Sequence, residues 1–451
     1  MLCFFLIIPL YSQEQADEQM AAAAIAKDNK RYFLPAFAEV LGSNGLLFVF
    51  NRFVARFDFS FVTADIIAGH FRNPWWWDGD NFIINQFGHP YQGLIYHTAA
   101  RANGFTFYES LAFDVFGSLT WELFTETDTP SVNDMLTTPI GGAVMGEMFH
   151  RLFLEVRSPL ALFISPVDAL NGVITGRRPK RGRSNIYGIT LSTGLEYELL
   201  AVRWRGSDGP VISDIKHSGA ANLETHIIFG NPFEQQSKTP YTHFELTLGG
   251  TIGLPLQYSI NMISDGYLFS FSPIDTETKK LSTGLSLHYD VFSGSFINYF
   301  NEAIDWTVKY QQRFTDTMQM ELKLHAGWSF LSGANMYIRE EREYGQGWNF
   351  KIFFSIFFPT GGIFSADALL YRMYVFSQGF LEHTGETGPV PGMAGGFDIL
   401  NIFTLSYRRP VTNSFFIGIS DSIYGKFRTG THFPNTELWT NAVRLFAEWR
   451  F

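Results

Sequence analysis

A chain of 451 residues with a formal net charge of −10 lacks the basic surface that phosphate binding requires, so nucleic acid is excluded as a partner. Its hydrophobic fraction is 46% and its aromatic fraction 17%, with 47 Phe, yet the mean hydropathy is near zero. That combination is foreign to a soluble enzyme and natural to a protein that alternates apolar and polar residues along many membrane strands.

The first residues, MLCFFLIIPLYS, carry an apolar run from Leu2 to Leu10 and predict a secretory signal peptide over residues 1–12. Cys3 is the only cysteine and falls inside that segment, which leaves the mature chain without disulfides or thiolate chemistry. No later stretch offers about 18 consecutive apolar residues, because Arg52, Arg56 and Asp58 interrupt Leu46 to Phe61. A helical inner-membrane protein is therefore disfavoured. Residues 13–33 are polar and Ala-rich and read as a mobile leader.

Residues 34–155 read as an apolar helical domain. Leu34 to Val54 predicts a first helix whose weak point is Gly42 to Gly45. Trp75, Trp76 and Trp77 follow, either as a membrane-interface anchor or as a binding platform. Three more helices are predicted. The first spans Pro90 to Ala102, with His97 and Arg101 on one face and His89 at its N-terminal end. The second spans Glu109 to Phe124, apolar except for a stripe of Asp114, Ser118 and Glu122 spaced by four. The third opens at Ser131 with Asp134 three residues on, and runs past Gly141, Gly142 and Gly146 to Leu154. Those glycines offer a smooth face for close helix approach, so the three helices should enclose the polar stripe.

Residues 156–185 read as a basic linker, with RRPKRGR at 177–183 placed either on lipid phosphates or in a solvated loop. From residue 186 to 451 the period changes to two. Leu281 to Val291 sets Leu281, Thr283, Leu285, Leu287, Tyr289 and Val291 on one face and Ser282, Ser286, His288 and Asp290 on the other. Met318 to Phe330 repeats the pattern. About twelve such segments predict an antiparallel transmembrane β-barrel in the bacterial outer membrane, in contact with its lipids. Trp348 to Phe358 and Ala366 to Phe376 are apolar on the lumen face as well, which predicts that protein covers them there. The N-terminal helices are the expected cover, plugging or capping the lumen. The last strand, ending at Phe451, resembles the closing strand of outer-membrane barrels that the barrel-assembly machinery reads.

The helical stretch carries Trp77-Asp78 with Asp80, Asn85-Gln86, His89-Pro90-Tyr91, Gly93, Tyr96, Ala100-Arg101, Gly117-Ser118, Trp121-Glu122, Asn133-Asp134 and Gly146-Glu147. As a set over residues 34–155 these resemble the uncharacterised bacterial family known as domain of unknown function 3943. The resemblance implies no known activity.

An ordinary core avoids the titratable residues of this stretch, since an ionised group is costly to bury unless paired. Two chemistries compete. In a lipid-modifying enzyme, His89 or His97 is the base, Glu122 or Asp114 orients it, Asp134 joins the acid–base set, and Arg101 holds a phosphate or carboxylate, with Asn85, Gln86 and Glu147 as further binding groups. In a structural role the charges pair, Arg101 with Glu122 or Asp134 for example, in a plugged barrel with a structural or transport role, or in an adhesion scaffold. No cofactor motif is present, and no HExxH or comparable metal spacing.

Overall fold

The computed structural model describes residues 30–78, 81–156, 161–175, 184–205, 211–233, 237–254, 257–295, 297–335, 342–379, 395–430 and 435–451. The signal peptide, nearly all of the leader, Asp80 and Arg177 to Arg183 lie outside the described residues. The chain divides into two compact units, Met1–Ile186 and Tyr187–Phe451.

In the first unit, α1 (Phe33–Val49) passes through Gly42 to Gly45 unbroken and continues as a π-helical turn, Phe50–Ala55. Asn44 secures the weak point, because its Nδ2 donates to Gly117 O at 3.0 Å and to Thr120 Oγ1 at 2.9 Å. One face of α1 packs Ala36 and Val40 against Tyr96, Ala99, Ala100 and Phe113. Leu34, Leu46 and Val54 are exposed. Phe33–Ala55 is long and apolar enough to cross a membrane by length and composition, with a mean hydropathy of 1.6, which a search for unbroken apolar runs overlooks.

Helix α2 (Ala64–His70) is followed by a π-helical turn, Ile84–Gly88, that leads directly into α3 (His89–Ala102). Helix α4 (Phe107–Phe124) starts two residues before its predicted start because Thr106 and Glu109 form a capping box. Helix α5 covers Asp134–Glu155. Ser131 Oγ accepts the Asp134 N–H at 3.2 Å, so the expected Ser131 cap exists as the turn that feeds the helix. The expected linker is not plain: it holds α6 (Ala161–Ile164) and α7 (Pro166–Thr175). Ser165 Oγ donates to Asp168 Oδ2 at 2.7 Å, and Asp168 binds His150 Nδ1 at 2.9 Å, which ties α7 to α5.

The described residues of the second unit form twelve strands: β1 (Ile186–Arg205), β2 (Val211–Phe229), β3 (Phe244–Leu254), β4 (Gln257–Asp275), β5 (Lys279–Gly294), β6 (Asn298–Thr315), β7 (Met318–Asn335), β8 (Arg342–Phe357), β9 (Ile363–Gly379), β10 (Gly396–Pro410), β11 (Phe415–Gly430) and β12 (Asn435–Arg450). Each pairs with its sequence neighbours, and β12 closes on β1 from Thr190↔Arg450 to Arg205↔Asn435. The alternation read from β12 holds. Trp439, Val443 and Leu445 are exposed, whereas Arg444 and Glu448 reach Glu224 and Arg408 inside. Trp306, Trp328, Trp348, Leu405 and Ile419 continue the apolar exterior. A closed antiparallel barrel with this exterior and a polar interior is an outer-membrane barrel.

The inward apolar residues of β8 and β9 are covered in part by the barrel itself. Leu369, Tyr371, Met373 and Val375 pack on Phe292, Tyr299, Leu400 and Ile402, inward side chains of the same barrel. Ile297, in the β5–β6 connection, packs against both this cluster and Leu200, Val202 and Leu438 of β1 and β12. The barrel thus fills part of its own lumen.

Candidate functional site

Helices α3 and α5 meet at a glycine contact. A Cβ on Gly93 would stand 2.0 Å from Thr138 O, and one on Gly142 would stand 2.5 Å from Gly93 Cα. Side chains larger than hydrogen cannot occupy either position without moving backbone. One turn further on, Gly146 leaves room for the His97 side chain, whose Cβ an added Cβ would approach to 2.6 Å and whose ring it would approach to 3.0 Å. The predicted smooth face therefore sets the distance between α3 and α5, and the polar stripe of α4 closes over it.

The stripe divides between two buried clusters. In the first, His97 places Nδ1 2.8 Å from Asp114 Oδ2 and Nε2 3.3 Å from Glu147 Oε2, with all three side chains fully buried. Arg101 Nε lies 2.7 Å from Glu147 Oε2 and Arg151 Nε 2.8 Å from Glu147 Oε1. The pairing expected for Arg101 is thus corrected: its carboxylate is Glu147, because the glycine contact brings that turn of α5 beside it, and not Glu122 or Asp134. Burial opposes charge on His97, yet Asp114 and Glu147 outweigh it and raise the pKa from 6.5 to about 9. Burial raises the Asp114 pKa to about 6, with His97 pulling the other way. Burial would also raise Glu147, but Arg101 and Arg151 hold it well below the usual carboxylate range. At neutral pH His97 is an imidazolium between two carboxylates, an arrangement suited to pairing rather than to accepting a proton.

The second cluster joins His89, Glu122 and Asp134, whose ligand atoms lie within 4.8 Å of one another. Glu122 Oε2 accepts the Ser131 N–H at 2.8 Å. Asp78 is drawn in by Asn85, whose Nδ2 donates to Asp78 Oδ1 at 2.8 Å, and by Asn133, which accepts the Asp78 N–H at 2.9 Å. Burial, then the Asp78 and Glu122 charges, raise the Asp134 pKa well above its ordinary value. Burial lowers that of His89 against the pull of Asp78. Asn85 and Gln86 are both fully buried on the π-helical turn. Ser118, the middle of the stripe, donates to Asp134 O at 3.3 Å. Of the candidate site residues, His97, Arg101, Asp114 and Glu147 meet in the first cluster and His89, Glu122 and Asp134 in the second, where Asn85 reaches Asp78, while Gln86 lies buried on the adjoining turn. Sequence reasoning missed Arg151, whose signal was its position four residues after Glu147, and the contribution of Asp78.

The barrel interior forms a third polar system. Lys309 Nζ lies 2.9 Å from both Glu245 Oε1 and Asp265 Oδ2 and 2.7 Å from His243 Nε2. Lys351 pairs with Asp290 and lies 3.1 Å from His288 Nδ1, and Tyr371 OH donates to Asp290 Oδ2 at 3.0 Å. Beside these side chains runs a cavity of about 450 Å³, whose charged lining includes Glu196, Glu198, Glu224, Asp367, Arg408 and Arg444.

Among solved structures, the barrel is similar to the KdgM porin, at 9% identity and a TM-score of 0.23, covering 56% of this chain and 99% of that one. It is also similar to the NanC porin, at 10% identity and a TM-score of 0.25, covering 56% and 98%. The toluene transporter TodX of P. putida aligns at 8% identity and a TM-score of 0.23, covering 58% and 90%. No curated protein matches the chain. Residues 74–165 match the model of the family described as a domain of unknown function, DUF3943, so both buried clusters of α3, α4 and α5 lie within that domain, and the barrel follows it.

Proposed function

We propose that this outer-membrane barrel passes or holds small polar solutes along a path narrowed by its own inward side chains. The observation that carries the reading is the 450 Å³ cavity with charged walls, set beside the packed Lys351–Asp290–Tyr371 group and its apolar neighbours. Such a lumen suits a selective or gated conduit better than a wide pore. In planar bilayers the wild type should show small unitary currents, and Tyr371→Ala with Leu400→Ala should enlarge them severalfold. Currents of open-pore size in the wild type, unchanged in the variant, would refute it.

The second reading, a lumen plugged by the helices, draws on the apolar exposed face of α1. Deleting the chain before Ile186 separates the two: an unchanged current favours the self-narrowed barrel, and a larger one favours the plug. Lipid chemistry rests on the His89, Glu122 and Asp134 cluster, since His97 is already paired. Its test is mass spectrometry of phospholipid and lipopolysaccharide incubated with wild type and Glu122→Gln, where turnover by the wild type alone would make the protein an enzyme.

We further propose that β12, with outward Trp439, Val443 and Leu445 and the terminal Phe451, is read by the barrel-assembly machinery. Phe451→Ala should lower the yield of folded barrel in cells while leaving the heat resistance of the assembled fraction intact. An unchanged yield would count against it.

A further inference from the structure

The two buried clusters of the helical unit are built from different groups. Glu147 and Asp114 are answered by Arg101, Arg151 and His97. Glu122 and Asp134 instead converge on the His89 imidazole, with the three ligand atoms within 4.8 Å of one another. Carboxylates gathered away from water are costly to keep ionised, and a bound cation is a direct remedy.

We propose that His89, Glu122 and Asp134 bind a divalent first-row transition metal ion, with the Asp78 carboxylate and the Asn85 amide oxygen at its edge. Donors bonded at about 2.0–2.2 Å to one ion stand roughly 3 to 4 Å apart, so the 4.8 Å envelope of these three closes with side-chain adjustments alone. His89 supplies an independent sign. It is 8% exposed, and among the described residues neither ring nitrogen makes a hydrogen bond; Nε2 faces Asp134 Oδ2 at 3.8 Å, beyond hydrogen-bond reach. A metal ion between His89 and Asp134 would give this nitrogen the direct bond that the 3.8 Å approach does not. Asn85 is fully buried, and its Oδ1 also has no partner among the described residues.

The ligands are already oriented. The Ser131 N–H holds Glu122 Oε2, and Ser131 Oγ accepts the backbone N–H of Asp134, so one residue supports both carboxylates. The donor set decides the class of ion. One imidazole with carboxylates and no thiolate suits Mn²⁺, Fe²⁺ or Zn²⁺, and the nitrogen ligand argues against Ca²⁺ and Mg²⁺. The ligands come from the first turn of α3, the last of α4 and the first of α5, and for that reason no short motif announces them.

The test uses the full-length protein, without a histidine tag, purified in detergent, stripped with a chelator and titrated with MnCl₂ and with ZnCl₂. Calorimetry and elemental analysis should find one equivalent bound per chain. His89→Gln and Glu122→Gln should each weaken binding at least about tenfold. The metal should raise the melting temperature of the wild-type helices and leave that of the variants unchanged. If a variant does not fold, the wild type before and after chelation still decides. A stripped wild type that binds neither ion overturns the proposal, as does undiminished binding by folded variants.

Discussion

Glu147→Gln should lower the melting temperature of the helical unit clearly while that of the barrel stays unchanged. The substitution keeps the shape of the side chain and removes the charge that answers Arg101, Arg151 and His97 together. Breaking a buried ion pair by deleting one partner costs about 3–5 kcal/mol, because the survivors stay buried and unpaired. Arg101 and Arg151 keep 19% and 15% of their side chains exposed, so the lower part of that range applies. On a total stability of about 5–15 kcal/mol, such a loss is a large share. Far-ultraviolet circular dichroism on heating reads the helices, and heat-modified gel mobility reads the barrel. A helical transition at the wild-type temperature would show that the cluster contributes nothing.

The same cluster sets a pH dependence of known sign. The folded pKa of His97, about 9, lies above the ordinary 6.5, so its contribution is complete below pH 6.5 and is lost as pH rises through 9. The shift corresponds to something on the order of 3 kcal/mol. Glu147 acts oppositely: its carboxyl lies well below the usual range, so its contribution is present at neutral pH and lost only in strong acid. The wild-type helices should therefore lose stability on the alkaline side of neutrality, and the Glu147→Gln variant should begin that loss at lower pH.

The barrel was legible because its signal is local. Each strand alternates by two between lipid and lumen, and β12 shows this from Trp439 to Phe451 without reference to another strand. The helices of residues 89–155 were legible from Pro90, the stripe at Asp114, Ser118 and Glu122, and the glycines of α5. Partners were not. Whether Arg101 meets Glu122, Asp134 or Glu147 depends on how closely α3 approaches α5, which the Gly93–Gly142 contact decides and helical periodicity does not. The apolar inner faces of β8 and β9 correctly reported a covering, and the part of it that the barrel supplies comes from Leu400 and Ile402 on the neighbouring β10 and from Phe292 and Tyr299 on β5 and β6, far away in sequence. The His89, Glu122 and Asp134 cluster was visible as three suspicious residues and became a site only through the fold.

Lys309→Met should cost the barrel about 3–5 kcal/mol, the range for an orphaned buried charge. Lys309 is 1% exposed and its ammonium holds Glu245, Asp265 and His243, so it joins β6 to β3, β4 and the connection before β3. Lys323 still reaches Glu245, and the loss therefore falls mainly on Asp265. The variant should convert from its folded gel mobility at a clearly lower temperature. Adding Asp265→Asn should recover much of the difference, since the stranded charge is then gone. Lys309→Arg should not rescue, because a planar fork cannot replace three donors spread around one nitrogen. Unchanged heat resistance of Lys309→Met would mean that water reaches Asp265 and that the lumen is wetter than its packing implies. The expected loss, by contrast, would show why a narrow barrel carries so many charges inside. With lipid on one face of every strand, the polar side chains all point inward, and those packed against one another must satisfy one another.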